Sequence, residues 1–304
     1  MKFEILDPRP IEAARVANEK IFTSGPVLGI EVTVPALAKR CVKNLDPQHS
    51  GGNADLAAIE VAVTTAELPQ EDMTLATVRA DLDSVGAMAV FSIRARGISL
   101  EPAMERISRV AIADKFVRGG WPGQKSLPTR DNQATSASES RQLAVIAVAV
   151  ADFKVPLEAR VSIMENWLLN GTEPEQYRAS VDRERSDLIN ALEKGQIKRE
   201  TRANGKIAVV ETTHRAATAV GYALAPVVVA LNPSFKQGPG EGYRRKFTVC
   251  AFEPKFADIR GALAELATLE AGWGGSPTIG GSPQGVSSVL TIDQVVEIVE
   301  KYLK

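Results

Sequence analysis

The chain has 304 residues, 44% of them hydrophobic and 24% charged, values ordinary for soluble globular proteins that exclude a disordered or fibrous chain. Lys plus Arg number 36 against 37 Asp plus Glu, so no global field draws the chain onto a polyanion, and a phosphate-bearing ligand has to be gripped locally. At this length two domains, each with its own core, are expected.

Residues 1–10 are charged and contain Pro8 and Pro10, which leaves no apolar signal-peptide core. The longest apolar stretch, 219–231, is interrupted by Pro226 and falls far short of the roughly 20 residues that span a bilayer. A cytoplasmic location with no membrane partner is therefore expected. Cys41 and Cys250, the only cysteines, are far apart and have no metal-ligand spacing, as expected of reduced, core-filling thiols.

In chain order, 54–66 reads as a helix, 74–80 as a short strand, and the run beginning at Asp81 as a helix. RVAIADKFVRGGWPG carries Asp114 and then, at 118–123, a glycine-rich turn expected to follow a strand. Residues 125–138 are rich in Ser, Thr and Asn and read as a loop, followed at 141–153 by an Ala/Val-rich buried helix. From 173 to 202 the sequence is strongly polar, with Tyr177, Val181, Leu188, Ile189 and Leu192 forming a thin helical stripe, and reads as a connecting helix. IAVVE at 207–211, VVVALN at 227–232 and KFTVCAF at 246–252 are β-rich. A helix is expected between the first two, and GPGEGYRRK reads as a hairpin turn between the last two. The chain closes with GWGGSPTIGGSPQG at 272–285 and a helix whose start is marked by the capping box of Thr291 and Gln294.

The chemistry concentrates at Asp81-Leu82-Asp83-Ser84-Val85-Gly86-Ala87, where a strand gives way to a helix. Strand ends of this kind are where open α/β sheets build ligand sites. Two carboxylates one residue apart in a bend can face one hard cation, which prefers oxygen donors; an aspartate here serves equally as a helix N-cap. Asp114 is the nearest further acidic candidate. His49, in the loop LDPQHSGGN beside Asp46, could reach a metal or a phosphate. His214 and Arg215 follow IAVVETT at a helix start and form either an anion site or part of a cap with Thr212 or Thr213. Arg118 offers a guanidinium for a phosphate. Six of the fourteen residues at 272–285 are glycine, which lets backbone amides at Gly274, Gly275 and Ser276 approach phosphate oxygens; Trp273 beside them either stacks on a base or is buried. No Gly-x-x-x-x-Gly-Lys-Ser/Thr pattern occurs, which excludes ATP hydrolysis by that route.

DLDSVGA after a strand, followed much later by a polar helix and GWGGSPTIGGSPQG, resembles the DHH/DHHA1 phosphoesterase superfamily. The resemblance implies an α/β fold: a DHH-like parallel-sheet domain at 1–172, a helical linker at 173–203, and a smaller DHHA1-like α/β domain at 204–304. It implies a metal-dependent phosphoesterase acting on a phosphodiester, nucleotide or pyrophosphate, closing its two domains over a small phosphorylated ligand or short oligonucleotide. Mn²⁺ or Mg²⁺ would be held by Asp81, Asp83 and Asp114. Substrate would be met by His49, Arg118, His214, Arg215, Gly274, Gly275 and Ser276, and a homodimer is compatible with this plan. The sequence departs from the family in three places. Thr77 stands where a histidine usually lies four residues before the first aspartate, the Asp-His-His triplet is absent, and Ser276 follows the glycines where a histidine is usual. A catalytically inactive nucleotide- or phosphate-binding regulatory protein of the same fold is the alternative.

Overall fold

The computed structural model describes residues 1–9, 11–47, 56–66, 68–70, 72–115, 137–236, 242–283 and 285–304. They form two compact units: the first runs to Lys115 and resumes through Asp182, and the second covers Arg183–Lys304. The architecture is mixed α/β, as the sequence pattern leads one to expect. Among the described residues, no helix is long and apolar enough to cross a membrane.

The first unit contains β1 (Lys2–Ile5), α1 (Glu12–Thr23), β2 (Val27–Ile30), α2 (Pro35–Ala38), β3 (Lys43–Leu45), α3 (Ala58–Thr64), β4 (Thr74–Thr77), α4 (Leu82–Ala95), α5 (Met104–Lys115), α6 (Ala137–Ala151), α7 (Leu157–Asn170) and the start of α8 (Arg178–Glu193). Its sheet has the order β1-β4-β2-β3, every pair parallel. The two inner strands, VLGI and TLAT, are buried along their whole length, the composition expected of parallel strands covered on both faces. Helix α4 packs its apolar residues into the core with Leu28, Ile30, Leu75, Met164 and Trp167. At Gly86 a Cβ would come within 2.7 Å of Ile59 Cδ1, so glycine is what lets α4 lie this close to α3.

The second unit contains β5 (Lys198–Arg202), β6 (Ile207–Glu211), α9 (Ala217–Tyr222), β7 (Val227–Phe235), β8 (Arg244–Ala251), α10 (Ile259–Leu269), β9 (Gly274–Gly275), β10 (Ile279–Gly281) and α11 (Ile292–Lys301). The sheet order is β5-β6-β7-β8-β10-β9; β6 and β7 are parallel, and the other pairs antiparallel. Strand alternation sorts the side chains onto two faces. Val209, Val227, Val229 and Val249 pack with Leu263, Leu266, Val295 and Val299 of α10 and α11, while Ala208, Val210, Val228 and Cys250 pack with Val220 of α9 and Ala191 of α8. Cys250 is buried and Cys41 half-buried, and both are free thiols.

Two expectations are corrected. Residues 198–202 form an edge strand rather than the end of a connecting helix. Every side chain of KRETR is exposed there, so no apolar periodicity announces the strand, and pairing to β6 decides it. The residues leading to Asp114 form α5, not a strand: Ile107, Val110 and Ala111 are buried at the i, i+3, i+4 spacing of one helix face. The turns expected at 118–123 and 125–136, and the tip of GPGEGYRRK at 238–241, lie outside the described residues.

Candidate metal centre

The C-terminal ends of the parallel strands bring acidic residues together. Glu31 directly follows β2, Asp46 directly follows β3, and Asp81 and Asp83 open α4 just after β4. Asp114 comes from the last turn of α5. One carboxylate oxygen from each of Glu31, Asp83 and Asp114 lies within 4.8 Å of the other two, close enough for a single ion to touch all three. Asp46 and Asp81 stand outside this trio but near enough to act on Glu31 electrostatically.

Glu31 is 9% exposed, and its backbone sits in the left-handed region at φ 51°. A non-glycine residue held there costs about 1 to 3 kcal/mol and persists only where its surroundings fix it. They do so on both sides. The Glu31 amide donates to Leu45 O at 2.8 Å. The Asn44 side chain takes both backbone groups of the next residue, accepting from Val32 N and donating to Val32 O, each at 3.1 Å. The carboxylate of Glu31 makes no hydrogen bond or ion pair with any described residue. Burial raises its pKa, and Asp83, Asp81, Asp114 and Asp46 raise it further, to about 10.

Asp83 is fully buried and divided between two tasks. Its Oδ2 accepts from Ala58 N at 2.6 Å and its Oδ1 from Ile59 N at 2.8 Å, so it satisfies the first amides of α3, whose own N-cap position is occupied by Ala57 and offers no oxygen. Burial pushes its pKa up, Asp114 adds to this, the two amides oppose it, and the result is about 8. Each carboxylate oxygen retains a second lone pair that can face the trio.

Asp81 is the N-cap of α4. Its Oδ1 accepts from Ser84 N at 3.1 Å, and Ser84 Oγ accepts from Asp81 N at 3.0 Å, a reciprocal capping box. Of the two readings open for this aspartate in the sequence, the structure shows the cap, and it is Glu31 rather than Asp81 that stands in the close trio. Thr77, where the resemblance would put a histidine, is fully buried, and its hydroxyl binds the next-but-one residue, accepting from Arg79 N at 3.2 Å and donating to Arg79 O at 3.0 Å.

The remaining candidates lie elsewhere. His49 and Arg118 are outside the described residues. His214 and Arg215 belong to the second unit. His214 Nδ1 accepts from Ala216 N at 3.1 Å and its amide donates to Thr212 Oγ1 at 3.0 Å, which completes the turn after β6. Arg215 is ion-paired with Glu184. Gly274, Gly275 and Ser276 form the near arm and turn of a β-hairpin. Ser276 Oγ accepts from Thr278 N and Ile279 N, and Ser276 N donates to Ile279 O, so these groups are spent on the turn. A Cβ on Gly280 would meet Leu263 Cδ1 at 2.3 Å, and one on Gly275 would meet Gly280 Cα at 2.3 Å, so the glycines serve close packing. Trp273 is buried against Phe247 and donates to Glu270 Oε2 at 2.7 Å.

Sequence reasoning missed Glu31. The usable signal was a lone carboxylate inside PVLGIEVTVP, since a charge within a run fit for a buried strand demands a partner or a ligand.

Among solved structures, the chain is similar to the pGpG-specific phosphodiesterase PggH from Vibrio cholerae, at 10% identity over 91% of this chain and 98% of that one, with a TM-score of 0.42. It is also similar to an uncharacterized protein from Helicobacter pylori G27, at 8% identity over 91% and 98% of the two chains, with a TM-score of 0.18. At these scores neither likeness assigns a role to any residue. No family model matches the sequence, and no curated protein does.

Proposed function

We propose that the chain is a divalent-cation-dependent hydrolase of phosphate esters, distantly related to the DHH phosphoesterases, with its cation centre at Glu31, Asp83 and Asp114. The observation that carries this reading is the state of Glu31: a carboxylate nine-tenths buried, on strained backbone, without a hydrogen-bond partner among the described residues, and surrounded by further carboxylates. A buried acid in such company either takes up a proton or is neutralised by a cation.

The donor set fits a hard ion. Among the described residues the trio offers oxygen alone, which suits Mg²⁺ or Mn²⁺. Glu31, Asp83 and Asp114 would hold it, and when bound it would supply charge to a phosphoryl oxygen in the transition state. The chain's own contribution is rigidity. Asp83 is fixed by two amides of α3, and Glu31 is fixed by Asn44 and Leu45. Asp81 keeps α4, and with it Asp83, in register through the capping box.

Thr77 in place of a histidine supports a second reading, a phosphate-binding protein without turnover, because it leaves the centre one donor poorer than the family pattern. One experiment separates the two. Purified protein is assayed with Mg²⁺ and with Mn²⁺ on a generic phosphodiester, a short oligonucleotide and pyrophosphate, beside a Glu31→Gln variant. Cation-dependent turnover that Glu31→Gln abolishes supports the hydrolase. Phosphate binding with no turnover on any of the three supports the binding protein, and absence of any cation binding refutes the hydrolase.

A further inference from the structure

Arg79 lies in the short link between the end of β4 and the start of α4. Its backbone is held with unusual thoroughness for a surface residue. Thr77 Oγ1 accepts from its amide and donates to its carbonyl, and Ser84 Oγ donates to the same carbonyl at 2.8 Å. Thr77 and Ser84 are both fully buried, so two interior hydroxyls are committed to fixing one link residue. The side chain is the opposite: it is 85% exposed, and among the described residues its ion-pair partner is Asp81, whose Oδ2 lies 3.8 Å from Nε. That spacing is too long for a hydrogen bond, and the other Oδ of Asp81 is occupied by Ser84. Among the described residues the guanidinium makes no hydrogen bond, and its one ion-pair partner, Asp81, stands beside the acidic trio.

A centre made of carboxylates repels an anionic substrate until something cationic meets that substrate, and a guanidinium binds phosphate through two parallel hydrogen bonds. Resting on the hydrolase reading above, we infer that Arg79 is the residue that recognises the substrate's phosphate at this centre, with Thr77 and Ser84 acting as positioning residues that aim it. The function of Thr77 thereby changes character: the position that lacks a metal-binding histidine holds the anion-binding arginine in place.

The test uses the full chain with Mg²⁺ present and inorganic phosphate as the probe, read by calorimetry and as competitive inhibition of phosphodiester hydrolysis. Arg79→Ala is expected to weaken phosphate binding and raise KM by about ten- to a hundredfold, the range of one lost charged hydrogen-bonding group. Its Mg²⁺-induced rise in Tm is expected to match wild type, and Arg79→Lys is expected to restore part of the affinity. Thr77→Val, which keeps the shape and removes the hydroxyl, is expected to raise KM without moving the Mg²⁺ response. Wild type that binds Mg²⁺ but not phosphate, or Arg79→Ala that binds phosphate as wild type does, overturns the assignment and leaves the cation centre standing. Loss of the Mg²⁺ response in wild type removes both.

Discussion

Glu31, at the end of β2, and Asp83, in the first turn of the helix that follows the adjacent parallel strand β4, bring carboxylate oxygens within 4.8 Å, yet they are supported in different ways. Asp83 has both oxygens in hydrogen bonds to the amides of α3, whereas the Glu31 carboxylate has none among the described residues. The difference predicts unequal responses to neutralising substitutions at the two residues.

Glu31→Gln should stabilise the cation-free protein. Holding this carboxyl near pKa 10 instead of its ordinary 4.5 means that folding at pH 7 works against its ionisation, a cost of about 3 kcal/mol by proton linkage. Allowing for relaxation, a gain of about 1 to 3 kcal/mol in chemical denaturation is expected, together with loss of the Mg²⁺-induced rise in Tm. A destabilised variant that still responds to Mg²⁺ would contradict the role given to Glu31.

Asp83→Asn should gain less in the first measurement. Removing its raised pKa also relieves a folding cost, but an amide side chain has one acceptor where the carboxylate has two, so its NH₂ group would face the amide of Ala58 or Ile59, at an offsetting cost of about 1 to 3 kcal/mol whether or not cation is present. The Mg²⁺ response should also weaken. Thermal unfolding with and without Mg²⁺ checks both parts.

The pH dependence of stability follows with a definite sign. Both carboxyls have folded pKa values raised above their unfolded ones, so their contribution to stability is fully present only below those unfolded values, 3.8 and 4.5, and is lost as pH climbs, through about 8 for Asp83 and about 10 for Glu31. Without cation, Tm is expected to fall between pH 5 and 9 by an amount that Glu31→Gln reduces. With saturating Mg²⁺ the fall should flatten, because a cation binds the deprotonated carboxylates and its affinity grows with pH. A cation-free Tm that rises over this range would refute the burial argument.

How much of this was legible in the sequence differs by element. The runs at 207–211, 227–232 and 246–252 are so rich in β-branched residues that only strands suit them, and they are β6, β7 and β8. The pairing of Thr291 with Gln294 marks the first turn of α11, where Thr291 Oγ1 accepts from Gln294 N at 3.2 Å. The bend at Asp81 and the helix after it were equally plain. Other features depend on tertiary partners and leave no periodic trace. KRETR becomes a strand only because β6 offers an edge, and Glu31 enters the centre only because Asn44, thirteen residues on, clamps the chain after it at Val32. The glycine-rich run misled for a related reason. Composition reports that backbone must come close to something, and here that something is Leu263 and the opposite arm of the hairpin.

Asp81→Ser is the sharpest probe of the DLD pair. Serine is as good an N-cap as aspartate, so α4 should keep its stability to within about 0.5 kcal/mol, whereas Asp81→Ala should cost about 1 kcal/mol. Removing the charge leaves Glu31, Asp83 and Asp114 intact and takes away only a neighbouring field, so Mg²⁺ affinity should fall by less than about tenfold, that is, by under about 1.4 kcal/mol. A larger loss in Asp81→Ser, measured calorimetrically in protein of unchanged Tm, would make Asp81 a direct cation ligand despite its engagement with Ser84.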